Sequence, residues 1–372
     1  MKIGIIVPFS WSYWGGVVEH SENQAASLRQ RGHEVKILMG HDPPGHATRL
    51  LHPRTGRHGD LPDGIIPVGR SIVVPANGSL PNIVLSPRSI PRIRQVLRDE
   101  KFDVVHLHEP MTPTVCVASL SFAACPVAAT WHAAGNLGWM RGARKVWGFL
   151  DERIDARIAV SRMAAESAGR WLGGDFEVVP NGVIVPPTSE AANREHHVVF
   201  VGRHDARKGL PVLLRAWPEI RRRTGARLRL IGTDPLQYRL LRSRLRTDED
   251  GIDVLGIVPN EERDHELATG KLFVSPALGG ESFGMVLVEA FAMATPVVAS
   301  NIPGFADVAA SDAATLVPPG DEAALAAAVI EMLGDEDRRV AMGRAGRRLA
   351  EEHYAWPDVA ARLEQIYERI AG

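Results

Sequence analysis

The stretch LFVSPALGGESFGMVLVEA, residues 272–290, sets a short apolar run, a glycine-rich turn and a helically spaced run end to end. Leu272–Ser275 reads as a buried strand closed by Pro276, and the segment opening at the two glycines reads as a helix. Strand, turn, helix is half of a parallel βαβ unit. The same pattern recurs along the chain. Strand candidates are Ile3–Pro8, Glu34–Met39, Asp103–His108, Val127–Trp131, Arg157–Val160 and Glu177–Val179. A second set comprises His197–Gly202, Arg227–Ile231, Ile252–Leu255, Leu272–Ser275, Pro296–Ala299 and Thr315–Val317. Most are continuously apolar, as parallel strands covered on both faces must be. Segments between them, such as His20–Arg31 and Leu210–Arg223, carry helical spacing. The expected fold class is α/β, with two doubly wound Rossmann-like domains.

Length agrees: 372 residues make two domains of roughly 150–200 each. The boundary falls at the turn Pro180-Asn181-Gly182, ahead of the polar stretch Thr188–His196, and the amphipathic segment after Tyr354 closes the chain. The expected domains are 1–180 with 354–372, and 181–353. Residues 40–69, rich in His, Pro, Gly and Arg, read as a long mobile loop. Lys plus Arg total 43 and Asp plus Glu 44, a net charge of -1 that argues against a nucleic-acid partner. Cys116 and Cys125 make no disulfide scaffold and no Cys/His zinc spacing, so a reduced cytoplasmic setting and no metal are expected. The apolar stretch Met111–Trp131 is interrupted by Pro113 and Pro126 and does not read as a membrane span.

In open α/β sheets, ligands meet the chain at the carboxyl ends of the strands, so the turns there carry the chemistry. After the first strand, Gly15-Gly16 opens a helix and could admit a phosphate, although GxGxxG is absent; Trp11, Tyr13 and Trp14 beside it could stack on a ligand, meet a membrane or pack. After the strand ending at Gly202, Arg203 and Lys208 are two cations suited to a diphosphate. In the deciding stretch, Glu281 and Glu289 would lie about 12 Å apart if both stood on one helix. That is about the span from the ribose to the sugar of a sugar nucleotide. Glu289 sits among apolar neighbours and should point into a confined place. Asp248-Glu249-Asp250, a D-x-D in a charged run, reads as a solvated loop.

Together these motifs resemble the retaining glycosyltransferases of the GT-B fold, family 4 type, over nearly the whole chain. Glu281-Ser282-Phe283-Gly284 with Glu289 resembles that family's Glu, seven residues, Glu motif. Arg203 and Lys208 resemble its diphosphate pair, Gly15-Gly16-Val17 its glycine loop, and Asn181-Gly182-Val183 its interdomain segment. His108-Glu109-Pro110 and Asn77-Gly78-Ser79 look closest to bacterial phosphatidylinositol mannosyltransferases. The resemblance implies two domains facing across a cleft, the first binding acceptor and the second binding donor. It implies donor contacts at Gly15, Gly16, Gly202, Arg203, Lys208, Gly232, Ile257, Gly280, Glu281, Ser282, Phe283, Gly284, Met285, Val286 and Glu289. Of these, Glu281 would hold the hexose and Glu289 the ribose. Acceptor contacts would be Phe9, Tyr13, Asn77 and His132. Catalysis would rest on His132, Arg203, Lys208 and Glu281, with front-face attack and no catalytic metal or other cofactor. The mannosyltransferases carry Tyr where this chain has Phe9, and Gln where it has Val18.

The activity so implied is transfer of a hexose, best mannose from GDP-mannose, to a lipid-linked polyol such as phosphatidylinositol. A UDP-sugar-dependent transferase acting on a soluble acceptor, a sugar-nucleotide epimerase and a non-catalytic nucleotide-binding module stay open. Arg88, Arg92, Arg94 and Arg98 share one expected helix, and Trp139–Ile154 reads as a basic, aromatic amphipathic helix. Both suit an anionic membrane surface or a core-facing helix, so peripheral attachment at the inner face of the plasma membrane is one expectation.

Overall fold

The computed structural model describes residues 1–46, 48, 52, 57, 60–74, 80–132, 148, 150–187, 194–203, 205–247, 250–309 and 312–372. The chain divides into two compact units, Met1–Gly182 with Trp356–Gly372, and Val183–Ala355.

The first unit holds β1 (Lys2–Ser10), β2 (Glu34–Gly40), β3 (Ile65–Gly69), β4 (Ile72–Val73), β5 (Asn82–Ile83), β6 (Val104–His108), β7 (Val127–Trp131), β8 (Ala156–Ala159) and β9 (Glu177–Val178). Its main sheet runs β3-β2-β1-β6-β7-β8-β9, with every neighbouring pair parallel. The direction of winding reverses between β1 and β6, which places the topological switch point at their carboxyl ends. The small antiparallel pair β4–β5 joins β1 at Phe9↔Ile83.

β1 is central because it is apolar on both faces. Ile3, Ile5 and Val7 enter one core with Trp356, Val359, Leu363, Ile366 and Tyr367 of the C-terminal helix, Trp356–Ala371. Ile6 enters the opposite core with Leu38, Val105, Leu107 and Val115. Burying each such side chain contributes about 1.5–3 kcal/mol. The C-terminal helix therefore belongs to the first unit energetically as well as spatially.

Residues 65–69 correct the reading of 40–69 as one loop: Ile65–Gly69 forms the edge strand β3, with Pro67 opposite Met39. Pro67 obscures the strand in the sequence, yet an edge tolerates a missing N–H.

The second unit holds β10 (Glu195–Val201), β11 (Arg227–Ile231), β12 (Ile252–Gly256), β13 (Gly270–Ser275), β14 (Val297–Ser300) and β15 (Ala314–Val317). They pair in parallel in the order β12-β11-β10-β13-β14-β15. Val198 and Phe200 of β10 pack with Leu213 and Trp217 of the helix Leu210–Thr224. The switch point lies between β10 and β13. Among the described residues, no helix is long and apolar enough to cross a membrane.

Candidate functional site

In the second unit, the turns after β10 and β13 meet. Gly202 and the exposed Arg203 follow β10. Asp205 then accepts from the Arg207 backbone N–H at 2.9 Å and caps a short 3-10 turn, Ala206–Lys208. The Arg207 guanidinium holds Asp205 below the usual carboxylate range. Gly209 follows with φ +71°, and a Cβ there would lie 1.7 Å from the Pro276 carbonyl oxygen, so only glycine fits. The Leu278 N–H donates to the Arg207 carbonyl at 2.7 Å, tying the second turn to the first. Across this junction, Lys208 Nζ lies 2.6 Å from Glu281 Oε1.

The deciding stretch departs from its sequence reading in one respect. Its helix begins at Met285 behind a left-handed Gly284, so Glu281 stands in the preceding turn. The 12 Å helical spacing between Glu281 and Glu289 therefore does not apply. Glu289 is on the helix, partly buried, with Arg263 Nη1 3.3 Å from its Oε1. No side chain caps the helix, which leaves its first N–H groups to other partners. Ser282, Met285 and Val286 are half-buried around it. Phe283 is in the core, edge-on to Tyr354 at 5.6 Å, so only its backbone is open to a ligand.

Gly280 sits in the turn at φ +75° beside the Arg207 side chain. Gly232 is at φ +85°, where an added Cβ would lie 3.0 Å from the Gly202 carbonyl oxygen, and Thr233 Oγ1 donates to that same oxygen at 3.0 Å. Ile257 projects from the end of β12, 78% exposed. Of the D-x-D run, Asp248 and Glu249 lie outside the described residues, and Asp250 pairs with Arg221.

Two contributors escaped the sequence reading. Arg263 gives no signal, because a helix arginine is ordinarily solvated. Gly304 had one: Ile302-Pro303-Gly304 follows β14 as a turn. A Cβ at Gly304 would lie 2.0 Å from the Glu281 carbonyl oxygen, so this glycine lets the turn at Glu281 settle.

In the first unit, Gly15 and Gly16 follow β1 and start the helix Gly16–Gln30. A Cβ at either would meet nothing within 4 Å, so packing does not require glycine at these positions. The aromatic turn before them mostly packs. Trp11 is buried and donates from Nε1 to Glu22. Tyr13 is 8% exposed and lies against His52, its ring centroid 4.8 Å away. Burial and then Asp42 push the Tyr13 hydroxyl up to about 12. Trp14 is 57% exposed, with the Arg57 guanidinium 4.1 Å over its ring. Phe9 is half-buried at the bridge to β5, while Val18 is 2% exposed and faces the core. Asn77 and residues 139–147 lie outside the described residues. The four arginines 88, 92, 94 and 98 are exposed on and just before the helix Ser89–Glu100.

His132 follows β7, half-buried. Its backbone N–H donates to Glu109 Oε1 at 3.1 Å, and its Nε2 lies 2.8 Å from Nδ1 of His108 at the end of β6. Glu109, which precedes Pro110, is held at φ +51°, an uncommon conformation for a non-glycine residue and disfavoured before proline. Burial pushes the His132 imidazole down to about 4, against the opposing pull of Asn181. His20, from the second turn of the helix Gly16–Gln30, packs edge-on to both rings. His106 stacks on His108 from below and bonds Thr130 and Tyr367. The sequence reading assigned a role here only to His132 and quoted His108 within His108-Glu109-Pro110; the rings come together through the pairing of β6 with β7 and the helix Gly16–Gln30.

A family model described as Glycosyltransferase Family 4 matches residues 14–185, and one described as Glycosyl transferases group 1 matches residues 195–335. A phosphatidyl-myo-inositol mannosyltransferase of Mycobacterium leprae is 35% identical, over 100% of this chain and 97% of its own. The chain belongs to glycosyltransferase family 4. Another relative of this glycosyltransferase, from Mycolicibacterium smegmatis, bears the same name and is 33% identical over 100% of this chain and 95% of its own. Among solved structures, Anabaena HepE in complex with UDP and glucose superposes with a TM-score of 0.72 at 17% identity, covering 98% of this chain and 99% of that one. The glycosyltransferase thus has the GT-B fold, and it is a hexosyltransferase that takes a sugar nucleotide.

Proposed function

We propose that this enzyme transfers mannose from GDP-mannose to a lipid-linked polyol of the phosphatidylinositol type, retaining the anomeric configuration. The observation that carries this reading is full-length identity of 33–35% to phosphatidyl-myo-inositol mannosyltransferases. In this reading, Arg203 and Lys208 neutralise the diphosphate as it departs, and the uncapped helix Met285–Ala292 adds its N-terminal dipole. Gly15 and Gly16 let backbone approach the donor. Glu281 holds the hexose hydroxyls, Glu289 the ribose hydroxyls, and His132 the neighbourhood of the transferring sugar. Gly202, Gly232 and Ile257 border the base. The acceptor meets Phe9, Tyr13 and Asn77.

Val18 supports a second reading of the acceptor. Its side chain is buried, so it offers an incoming head group no polar contact. A polyol other than inositol, lipid-linked or soluble, fits that position equally. The test incubates the enzyme with GDP-mannose or UDP-glucose, each with phosphatidylinositol vesicles or free myo-inositol phosphate. Mannosylated phosphatidylinositol is expected; a product only from the soluble acceptor, or only from UDP-glucose, would replace this reading. The exposed Arg88, Arg92, Arg94 and Arg98 each contribute about 1 kcal/mol at an anionic surface. Wild type should therefore sediment with anionic vesicles at low salt and lose binding when Arg88, Arg92 and Arg94 all become Ser. Failure of wild type to sediment would count against a lipid acceptor and the inner-face location.

A further inference from the structure

We propose that His20, His108 and His132 form a binding site for one divalent transition-metal ion. Each offers one imidazole nitrogen, and the three nitrogens lie within 4.8 Å of one another. The rings make a nearly equilateral triangle, with centroid separations of 5.3, 4.9 and 5.1 Å. Nδ1 of His20 and Nε2 of His108 are closed off from solvent with no hydrogen-bond partner, while His108 Nδ1 and His132 Nε2 share a hydrogen bond at 2.8 Å that a bound ion would replace. A buried polar atom left unsatisfied costs about 1–3 kcal/mol, and a metal bond would remove that cost.

The geometry is within reach of a tetrahedral ion. Zn–N bonds of about 2.0–2.1 Å place ligand nitrogens about 3.4 Å apart, so no pair need close by more than about 1.4 Å. His108 is wholly buried and forms the floor, while His20 and His132 are half-exposed and can adjust. A fourth ligand, such as water, would complete the tetrahedron. The surroundings hold the ligands in place, as outer partners of metal histidines do. Glu109 fixes the His132 backbone, His106 stacks on His108 at 4.7 Å, and Trp356 packs edge-on to His20 at 4.9 Å. An all-imidazole donor set selects Zn²⁺, Co²⁺, Ni²⁺ or Cu²⁺ over Mg²⁺ and Ca²⁺. The ion would occupy His132, which the proposed function places beside the transferring sugar, so binding would inhibit transfer. That consequence rests on the proposed function; the site itself does not.

The experiment titrates the full-length, metal-stripped protein with Co²⁺ in the absence of nucleotide and reads the visible bands of four-coordinate cobalt. One equivalent should bind, Zn²⁺ should displace it, and Mg²⁺ should not. His20→Ala and His20→Gln should each weaken binding by more than the about 10–100-fold that loss of an outer partner costs, while His353→Ala, an exposed histidine outside the triad, should match wild type. Two variants of the half-exposed His20, both checked by circular dichroism, separate ligand loss from misfolding. Absence of stoichiometric binding, or equal binding in both His20 variants and wild type, would overturn the site. Zn²⁺ should also slow transfer by wild type and spare folded His20→Ala. If Zn²⁺ binds but spares wild type, the site stands and the role given to His132 falls.

Discussion

Lys208 and Glu281 are joined directly, Nζ to Oε1 at 2.6 Å, although one follows β10 and the other the turn after β13. Each is partly open to solvent, so the pair contributes at most about 1 kcal/mol to folding. Its placement matters more, because it holds an ammonium where the diphosphate is expected. Lys208→Ala should lower kcat by about 10²–10³-fold, as loss of one preorganised charge does, with little change in thermal midpoint. Initial rates with GDP-mannose, beside a melting curve, check this. A rate near wild type would remove Lys208 from the donor site.

Glu281 and Glu289 differ in partner and in backbone setting, so their losses should differ in kind. Glu289 is paired with Arg263 on a helix, and the proposed function gives it the ribose. Glu289→Gln should weaken GDP binding by about tenfold or more, the loss of one charged hydrogen bond at about 1.5–3 kcal/mol. Glu281→Gln should leave GDP affinity nearly unchanged and depress transfer. Calorimetry with GDP and kinetics with the whole donor separate the two, and equal losses of GDP affinity would reverse the assignment.

Gly304 and Gly16 make an opposed pair. At Gly304 a methyl group would strike the Glu281 carbonyl. Gly304→Ala should therefore cost about 1–3 kcal/mol of stability, as overpacking does, and should impair transfer by moving Glu281. At Gly16 a methyl group meets open space. Gly16→Ala should change stability by no more than about 0.5 kcal/mol and raise KM for the donor. A Gly16→Ala enzyme with unaltered kinetics would show that no ligand approaches that backbone.

Glu364 ties the C-terminal helix to Arg31 and His33, at 2.9 and 2.7 Å. The hydrogen bond from Arg31 holds its carboxyl below the usual 4.5. A depressed carboxyl contributes stability above its unfolded pKa and loses it as pH falls through the folded value. Glu364→Gln should thus be less stable than wild type at pH 7 by no more than about 1 kcal/mol, and the gap should close as pH falls below about 4. Urea unfolding at two pH values measures it; a gap that persists in acid would deny the ion pair its part.

Most of the strands could be expected from sequence because β1, β6, β10 and β13 are built around apolar stretches, and such stretches are buried wherever they go. β3 was hidden because Pro67 breaks the pattern. The donor turns were legible through glycine and charge, since Gly280 and Gly284 need positive φ and Lys208 follows a strand end. The start of the helix at Met285 was not, because Gly284 caps it by conformation and no side chain marks the place. Arg263, and the gathering of His20 and His108 around His132, were illegible for a different reason. Each residue lies far from its partners along the chain: strand pairing joins His108 to His132, while helix packing brings in His20 and sets Arg263 against Glu289.

The return of residues 356–371 to β1 bears on the order in which the enzyme is built. On the ribosome, the first 182 residues emerge without the helix that supplies Trp356, Leu363 and Tyr367 to their core. The segment 183–355 contains every strand of its own sheet and can complete itself while the earlier one waits. Domains ordinarily mature from the amino terminus during synthesis; here the amino-terminal unit matures last. Until then the core of Ile3, Ile5 and Val7 is covered by Val18, Ala25 and Leu28 of the helix Gly16–Gln30 but lacks the side chains of the C-terminal helix, so it is incomplete. A nascent chain stalled before residue 356 is therefore a natural client for chaperones.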